Sequence, residues 1–371
     1  MKIDQIKLRP LTLQLKRPFS TNHGQMTERP LILIEINMTN GVTGYGEVQA
    51  LPDATYAPQT QAAAQAELEQ GLPFLVKRSF QTPKDLQRQL AKFTSFARAG
   101  VEMAIWDAYG KLLHEPLAQL LGNPVQLVPV SVALGIQKNY QQTIRLADQE
   151  LAAGYRRLKL KTKDPKTTLT LVHKLGIAFP HQLISFDANA AFAPSPTTTD
   201  LLQQLDAAGL SLIEEPLHDA SWSTYANLQA QLPHLKISLD ESINTLSDIQ
   251  RAVQAQSAAA YTLKPSKLGG ITQTMEAMRY LLNTPYLPWI GGMLGSGLGR
   301  SVDLALAAQL PQPIFPADIA DSNHYFEQEI IKEPLTVKNG YLPVPTGAGI
   351  GVTLDWEAIQ ELQTGATSTF A

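Results

Sequence analysis

Two lysines separated by a single residue, Lys159 and Lys161, close the segment Arg156-Arg157-Leu158-Lys159-Leu160-Lys161. In an extended strand, residues two apart point the same way. Both ammonium groups therefore share one face, and Leu158 and Leu160 share the other. Neighbouring ammonium groups repel and lower each other's pKa, and a lysine tuned in this way acts as a base near neutral pH. Acids follow at a regular interval. Apolar runs end at Asp187, Glu214 and Asp240, and another ends at Lys264, so the steps from Lys161 onward are 26, 27, 26 and 24 residues. A strand, a helix and two short loops occupy about 25 to 30 residues, the repeat of a (β/α) barrel, whose active site lies at the C-terminal ends of the strands. Five successive strand ends then carry Lys, Asp, Glu, Asp and Lys. Three converging carboxylates repel unless a hard divalent cation lies among them, so Asp187, Glu214 and Asp240 read as oxygen ligands for Mg2+, with Mn2+ as a substitute. Glu215 and Glu241 each follow a ligand directly and point to the opposite face of their strands.

The elements that must hold these groups are readable along the chain. Residues 128–134 form the first barrel strand, 287–292 the seventh and 313–319 the eighth, with helices such as 165–175, 247–255 and 299–308 between strands. Ahead of the barrel, alternating apolar and polar residues predict strands at 2–15, 31–37 and 42–47, with Asn40-Gly41 as a hairpin turn. Residues 18–24 and 50–58 are polar loops of the kind that serve as lids. His23, in the first of them, reads as a surface residue. Helical patterning covers 60–71, 83–93 and 100–113, with Trp106 and Asp107 in packing and capping roles. After the barrel, residues 333–355 return to strand character around a turn at 338–341 and are expected to pack on the N-terminal unit. The domain reading is 1–125 for an N-terminal α+β unit, 126–325 for the barrel and 326–371 for a returning C-terminal segment.

Composition sets the remaining bounds. A chain of 371 residues, 44% hydrophobic and 17% charged, suits one large or two moderate globular domains. A formal net charge of −3 gives no electrostatic reason for a nucleic acid or an anionic membrane as partner. The absence of cysteine excludes disulfides, thiolate catalysis and Cys-ligated zinc. The N-terminus has no signal-like apolar run, and no apolar stretch reaches the length of a membrane span, so a cytoplasmic location is expected. Gly295-Ser296-Gly297-Leu298-Gly299 lacks the spacing of a nucleotide-binding loop.

The motifs Lys159-x-Lys161, Asp187-x-Asn189, Glu214-Glu215-Pro216, Asp240-Glu241-Ser242, Lys264-Pro265 with Gly269-Gly270, and Gly291-Gly292-Met293 resemble those of the enolase superfamily, in its muconate-lactonizing-enzyme subgroup. Within it the chain is most similar to the o-succinylbenzoate synthases and the N-succinylamino acid racemases, over essentially its whole length. The resemblance implies an α/β fold, a (β/α)7β TIM-like barrel with an α+β capping domain. It implies Mg2+ on Asp187, Glu214 and Asp240, and Lys161 and Lys264 as a catalytic pair on opposite sides of a small-molecule carboxylate. It also puts Lys159, Asn189, Phe19, Gly292 and Met293 around that substrate, and implies a homo-oligomer. The implied activity is that of a carbon–oxygen lyase: Mg2+-dependent syn-dehydration of a cyclohexadiene carboxylate through an enediolate, in menaquinone biosynthesis. Lys161 is then the base, and Lys264 steadies the intermediate. The alternatives are an N-succinylamino acid racemase, alone or alongside the synthase, and a non-catalytic binding protein on the same fold. Dipeptide epimerases carry an Asp-x-Asp pair at the eighth strand, where this chain has Asp318-Ile319-Ala320-Asp321. The chain departs from the family pattern at four positions. Gly295 stands where an acid is usual, Thr262 where Asn is, Ala133 where Ser is, and Lys267 where the racemases often have Arg.

Overall fold

The computed structural model of the chain describes residues 1–22, 24–310 and 313–371, so His23 lies outside the described residues. The N-terminal sheet is built on a long antiparallel hairpin, Ile3–Thr21 with Gly24–Met38, flanked by Thr43–Val48 on one edge and Ser368–Phe370 on the other. The predicted loop at 18–24 is mostly strand, because Phe19 pairs with Met26 and Ser20 with Gln25 beyond a register shift that follows Gln14. The run Lys16-Arg17-Pro18 interrupts the alternation there, which hid the strand from a reading by period. The ribbon reaches the barrel: the Asn22 side-chain amide donates to the Asn189 carbonyl at 3.4 Å, and Ile136 N–H donates to the Ser20 carbonyl at 2.9 Å.

Under this sheet runs the helix Ser95–Leu113, which begins five residues before the predicted start. Residues 83–93 hold a 3-10 turn, Pro83–Leu86, followed by one helical turn, Gln87–Leu90, in place of the predicted continuous helix. Asp107 accepts from the backbone N–H groups of Tyr45 and Ile350, both at 2.8 Å, and so ties the helix to the sheet and to the C-terminal segment.

Seven parallel strands follow in sequential spatial order: Ser131–Leu134, Arg157–Lys161, Leu183–Asp187, Leu212–Glu214, Lys236–Leu239, Ala260–Leu263 and Leu287–Ile290. Several barrel helices start on side-chain caps. Asn139, Asp164, Ser195, Ser221 and Thr245 each accept a backbone N–H of the first turn, and Thr245 forms a reciprocal capping box with Asp248. The predicted eighth strand at 313–319 is not a ladder among the described residues. Pro313 and Pro316 have no N–H to give one. The stretch still joins the ends of the sheet: Ser131 N–H donates to the Ala317 carbonyl at 2.7 Å and Asp318 N–H to the Ile290 carbonyl at 2.9 Å. The result is an α/β TIM-like barrel with a separate antiparallel capping unit.

The predicted first strand, 128–134, divides. Leu127–Pro129 pairs antiparallel with Tyr341–Pro343, and only Ser131–Leu134 enters the barrel. Residues 341–343 therefore extend the barrel, while Gly349 and Ile350 of the same predicted segment bond to the N-terminal unit at Glu115 and Asp107. The chain meets that unit again at its end, where Ser368–Phe370 pairs with Ile6–Leu8. Among the described residues, no helix is long and apolar enough to cross a membrane.

Candidate active site

Register sets the ring. Lys161 is the Cα partner of Asp187, and Asp187 of Glu214, so these side chains stand level at adjacent strand ends. Glu214 pairs with Ser238, which puts Asp240 two residues further along the next strand end. Lys264 follows directly on Leu263, the last residue of its strand. Asp187, Glu214 and Asp240 are completely buried. Lys159, Lys161 and Lys264 line a cavity of about 330 Å³ above them, under the capping unit.

The lysines and acids are interleaved. Lys161 Nζ lies 2.6 Å from Asp187 Oδ2 and 2.9 Å from Asn189 Oδ1. Lys264 Nζ lies 2.6 Å from Asp240 Oδ2. Lys159 Nζ bridges Asp318 at 2.7 Å, Glu214 at 3.1 Å and Asp187 at 3.3 Å. The sequence reading has Lys159 and Lys161 lowering each other's pKa, and for Lys159 the structure corrects it. Burial opposes its charge, but the carboxylates of Asp318, Glu214 and Asp187 outweigh burial and hold its pKa well above the ordinary lysine value. Lys264 is raised too, with Asp240 the largest influence against burial. Asp187 is brought down to about 2 by Lys161 and Lys159 in spite of its burial. Glu214 is pushed up to about 7 by burial and by the Asp187 charge beside it.

Among the described residues, no three His, Cys, Asp or Glu side chains close on a common point as a finished metal cage. Ammonium groups stand among the acids and share their charge. The donor set still fits Mg2+. It is oxygen only, it comes from three adjacent strand ends, and Glu214 Oε1 is buried with no hydrogen-bond partner among the described residues.

The two neighbouring acids differ from each other. Glu215, at φ 36°, turns away from the ring and accepts from the Tyr225 hydroxyl at 2.9 Å, from Asp240 N–H at 2.7 Å and from Ser242. Glu241 does not turn away, contrary to the sequence reading. It accepts from Asn189 Nδ2 at 2.9 Å, which links it through Asn189 to Lys161. Asn189 itself sits at φ 44°, a conformation that asparagine tolerates better than most residues.

Phe19, Gly292 and Met293 line the same cavity. Phe19 meets Tyr325 edge-on at 5.8 Å between ring centroids. A Cβ at Gly292 would stand 2.6 Å from the Asp318 carbonyl, so only glycine fits there. The four departures from the family pattern each have a place. Ala133 lines the cavity, and the Tyr325 hydroxyl holds its backbone on both sides. Thr262 faces the barrel interior and pairs with Ser238 Oγ at 2.9 Å. Lys267 reaches Asp240 Oδ1 at 2.9 Å. Gly295 faces an acid from the other domain: a Cβ there would meet Gln49 Nε2 at 2.2 Å and Glu47 Oε1 at 2.7 Å. The carboxylate of Glu47, from the strand Thr43–Val48, accepts from Ser296 N–H at 3.0 Å and fills this space.

Sequence reasoning did not single out Tyr56, Arg300, Asp303 or Tyr325, and it used Asp318 only to weigh the epimerases. All five line the cavity. Tyr56 belongs to the predicted 50–58 loop, where no periodicity shows which way a side chain points. Arg300 and Asp303 read as one polar turn of the predicted 299–308 helix.

Family models match most of the chain. One described as the mandelate racemase / muconate lactonizing enzyme N-terminal domain matches residues 5–122. One described as enolase C-terminal domain-like matches residues 142–358. The chain is 33% identical over 364 residues to an o-succinylbenzoate synthase of Listeria innocua, covering 97% of this chain and 96% of that protein. It is 36% identical over 360 residues to an N-succinylamino acid racemase of Thermus thermophilus, covering 95% of each. A crystal structure of an enolase-superfamily member from Listeria innocua superimposes with a TM-score of 0.93 at 32% identity, over 99% of this chain and 98% of that one.

Proposed function

The chain belongs to the muconate-lactonizing subgroup of the enolase superfamily, and from that premise we propose that it is an o-succinylbenzoate synthase, which dehydrates a cyclohexadiene carboxylate after removal of the proton α to its carboxylate. One observation carries this reading. Lys161 and Lys264 line a single cavity, and each contacts a different acid of a buried three-carboxylate ring. Similarity to several named o-succinylbenzoate synthases, at 31 to 33% identity, supports the choice of reaction.

Asp187, Glu214 and Asp240 would hold Mg2+, which supplies a positive charge to a substrate carboxylate as negative charge builds up on its oxygens. Lys161 takes the α-proton as base. Asn189, which accepts from Lys161 and in turn donates to Glu241, fixes the position of that amine. The electron pair left on the α-carbon moves toward the carboxylate, and Lys264 steadies the anion from the other side as a cation. When the β C–O bond breaks, the proton returns from Lys161 to the departing hydroxyl and water leaves. This fits a syn geometry, because one group serves both transfers. Phe19, Leu51 and Met293 give the ring an apolar wall.

A second reading is N-succinylamino acid racemisation, favoured by the 36% identity to the Thermus thermophilus racemase. The same lysines serve it: one takes the α-proton and the other returns a proton to the opposite face. The complete set of Lys161, Lys264 and three acids weighs against a non-catalytic binding protein. A paired assay decides among these. The cyclohexadiene precursor is followed by its loss of absorbance, and N-succinyl-L-phenylalanine by α-deuterium exchange, each with Mg2+ and with EDTA. Fast dehydration with slow exchange supports the synthase. Comparable rates support a bifunctional enzyme. No turnover of either substrate by Mg2+-loaded protein would overturn both readings.

A further inference from the structure

We infer that Arg29 is a positioning residue of this active site: from the capping unit it fixes two cavity-lining bends, one from each domain, and so sets where Tyr56 meets Lys264. The inference rests on the catalytic reading of the site for its kinetic arm alone.

Arg29 lies in the strand Gly24–Met38 and is completely buried. Its guanidinium makes five hydrogen bonds, all to backbone carbonyls. Nη1 donates to Ala50 at 2.7 Å and to Pro30 at 3.1 Å. Nη2 donates to Gln49 and, at 3.1 Å, to Met293. Nε donates to Leu294 at 3.3 Å. Five bonds use every donor that a guanidinium has. Two of the acceptors open the 50–58 loop of the cap, and two belong to the bend that follows the last barrel strand. Burial brings the Arg29 pKa down to about 10 and the Glu47 charge opposes the fall, so the group is a cation near neutral pH. Burying a charge among neutral acceptors is costly, and apolar packing could join two segments without that cost. What the planar fork adds is direction, because each acceptor must lie on a fixed N–H axis. A lysine ammonium, with three rotating donors, imposes no such arrangement.

Both bends border the chemistry. Met293 and Leu294 line the cavity, and Leu294 is held at φ 52°, a conformation that a leucine adopts only where its surroundings impose it. On the cap side, Leu51 and Tyr56 follow Gln49 and Ala50 and line the same cavity. Gln61 N–H donates to the Leu51 carbonyl at 2.7 Å, so the loop that carries Tyr56 is closed at its base beside the carbonyls that Arg29 holds. The Gln49 side chain extends the link. Its Oε1 accepts from Ser266 Oγ at 2.5 Å, and Ser266 lies in the turn Pro265–Leu268 directly after Lys264. Gly295 and Gly299 leave room for this side chain, since a Cβ on either would run into Gln49 Nε2. Arg29 thus seats residues 49–51 on the barrel, and that seat sets how far the Tyr56 hydroxyl reaches toward Lys264 and Asp240. A misplacement of about 1 Å at a catalytic group costs about 100-fold in rate.

The test has a kinetic arm and an arm that needs no turnover. Arg29→Lys, Tyr56→Phe and the double variant are assayed with the substrate that the paired assay finds active. Arg29→Lys is expected to lower kcat by about tenfold with KM within about threefold. In the Tyr56→Phe background the same change is expected to cost less than about threefold, because the contact it serves is already gone. Amide hydrogen exchange of full-length Arg29→Lys with Mg2+, read by mass spectrometry, is expected to rise in peptides covering 49–58 and 292–295 and to stay unchanged in the barrel strands. Arg29→Gln, which keeps a planar donor pair, is read by the same criteria if the lysine variant does not melt cooperatively. Equal losses in the two backgrounds overturn the inference. So does exchange that rises throughout the chain, which would make Arg29 a support of the fold alone, and so does a variant that matches the unaltered protein in rate and exchange. If the unaltered protein turns over neither substrate, the catalytic reading fails and the exchange arm decides: a rise confined to those peptides supports the positioning role, and no rise or a uniform one overturns it.

Discussion

The Tyr56 hydroxyl, carried in from the capping unit, accepts from Lys264 Nζ at 3.0 Å and donates to Asp240 Oδ1 at 3.0 Å. One residue of the cap thus touches both the second lysine and a candidate metal ligand. Burial and the Asp240 charge keep the phenol protonated, so it acts as a fixed donor. Tyr56→Phe removes a hydrogen bond between charged partners, a contact of about 1.5 to 3 kcal/mol, and is expected to lower kcat/KM by roughly 10- to 100-fold. Steady-state kinetics with a thermal melt checks this. An unchanged kcat/KM would take Tyr56 out of the site.

The proposed roles of the two lysines can be separated by substitution. Lys161→Ala is expected to abolish both dehydration and α-deuterium exchange, by about 100-fold or more, since general base catalysis is lost. Lys264→Ala is expected to keep exchange at one enantiomer of an N-succinylamino acid and lose racemisation, because only one face still has a base. Exchange of both enantiomers at similar rates in Lys264→Ala would contradict the pairing.

Metal dependence has a readout apart from turnover. A ligand that binds only the native state stabilises it by about 2.7 kcal/mol at a hundred times its Kd. Mg2+ is therefore expected to raise the melting temperature, and EDTA to reverse the rise. Glu214→Gln is expected to weaken the rise, requiring more than about tenfold higher Mg2+ for the same shift. A rise of equal size at equal Mg2+ in Glu214→Gln would remove Glu214 from the ligand set.

Gly295 is fixed by its neighbours from the other domain. Gln49 and Glu47 are joined by a 2.8 Å hydrogen bond, and Glu47 is held by Ser296, so neither yields freely to a new Cβ. Gly295→Ala is expected to destabilise the fold by about 1 to 3 kcal/mol as overpacking. Gly295→Glu, which restores the acid usual in the family, is expected to cost more, since two carboxylates would then share one buried space. Urea denaturation measures both, and a stabilised Gly295→Glu would show that Glu47 can move away.

Glu329 links stability to pH. Burial pushes its carboxyl up to about 7, above the ordinary value of 4.5, so the native state holds its proton more tightly than the unfolded chain does. Its contribution is fully present below pH 4.5 and is lost as pH rises toward about 7, at most about 3 kcal/mol. Glu329→Gln cannot ionise, so its stability relative to the unaltered protein should improve across that window. Parallel denaturation curves at pH 4.5, 6 and 7.5 check it, and a constant difference would remove Glu329 as the titrating group.

The sequence by itself determined the ring. Strand ends recur with the period of a βα unit, and a barrel turns that period into neighbouring positions. Asp187, Glu214, Asp240 and Lys264 could be named because each closes an apolar run, and Lys161 because it closes an alternating strand one repeat earlier. Only the tertiary structure decided what each charge meets. Lys159 reads as a repelling neighbour of Lys161, yet its ammonium lies among Asp187, Glu214 and Asp318, the last from a segment more than 150 residues away. Tyr56 and Glu47 enter from the cap, and Arg300 turns inward from a helix. Their directions follow from how two domains dock, and no local period records that. The eighth barrel position was placed correctly but read as a strand, because apolar residues around Pro313 and Pro316 look extended while their missing N–H groups leave only isolated bonds to close the ring.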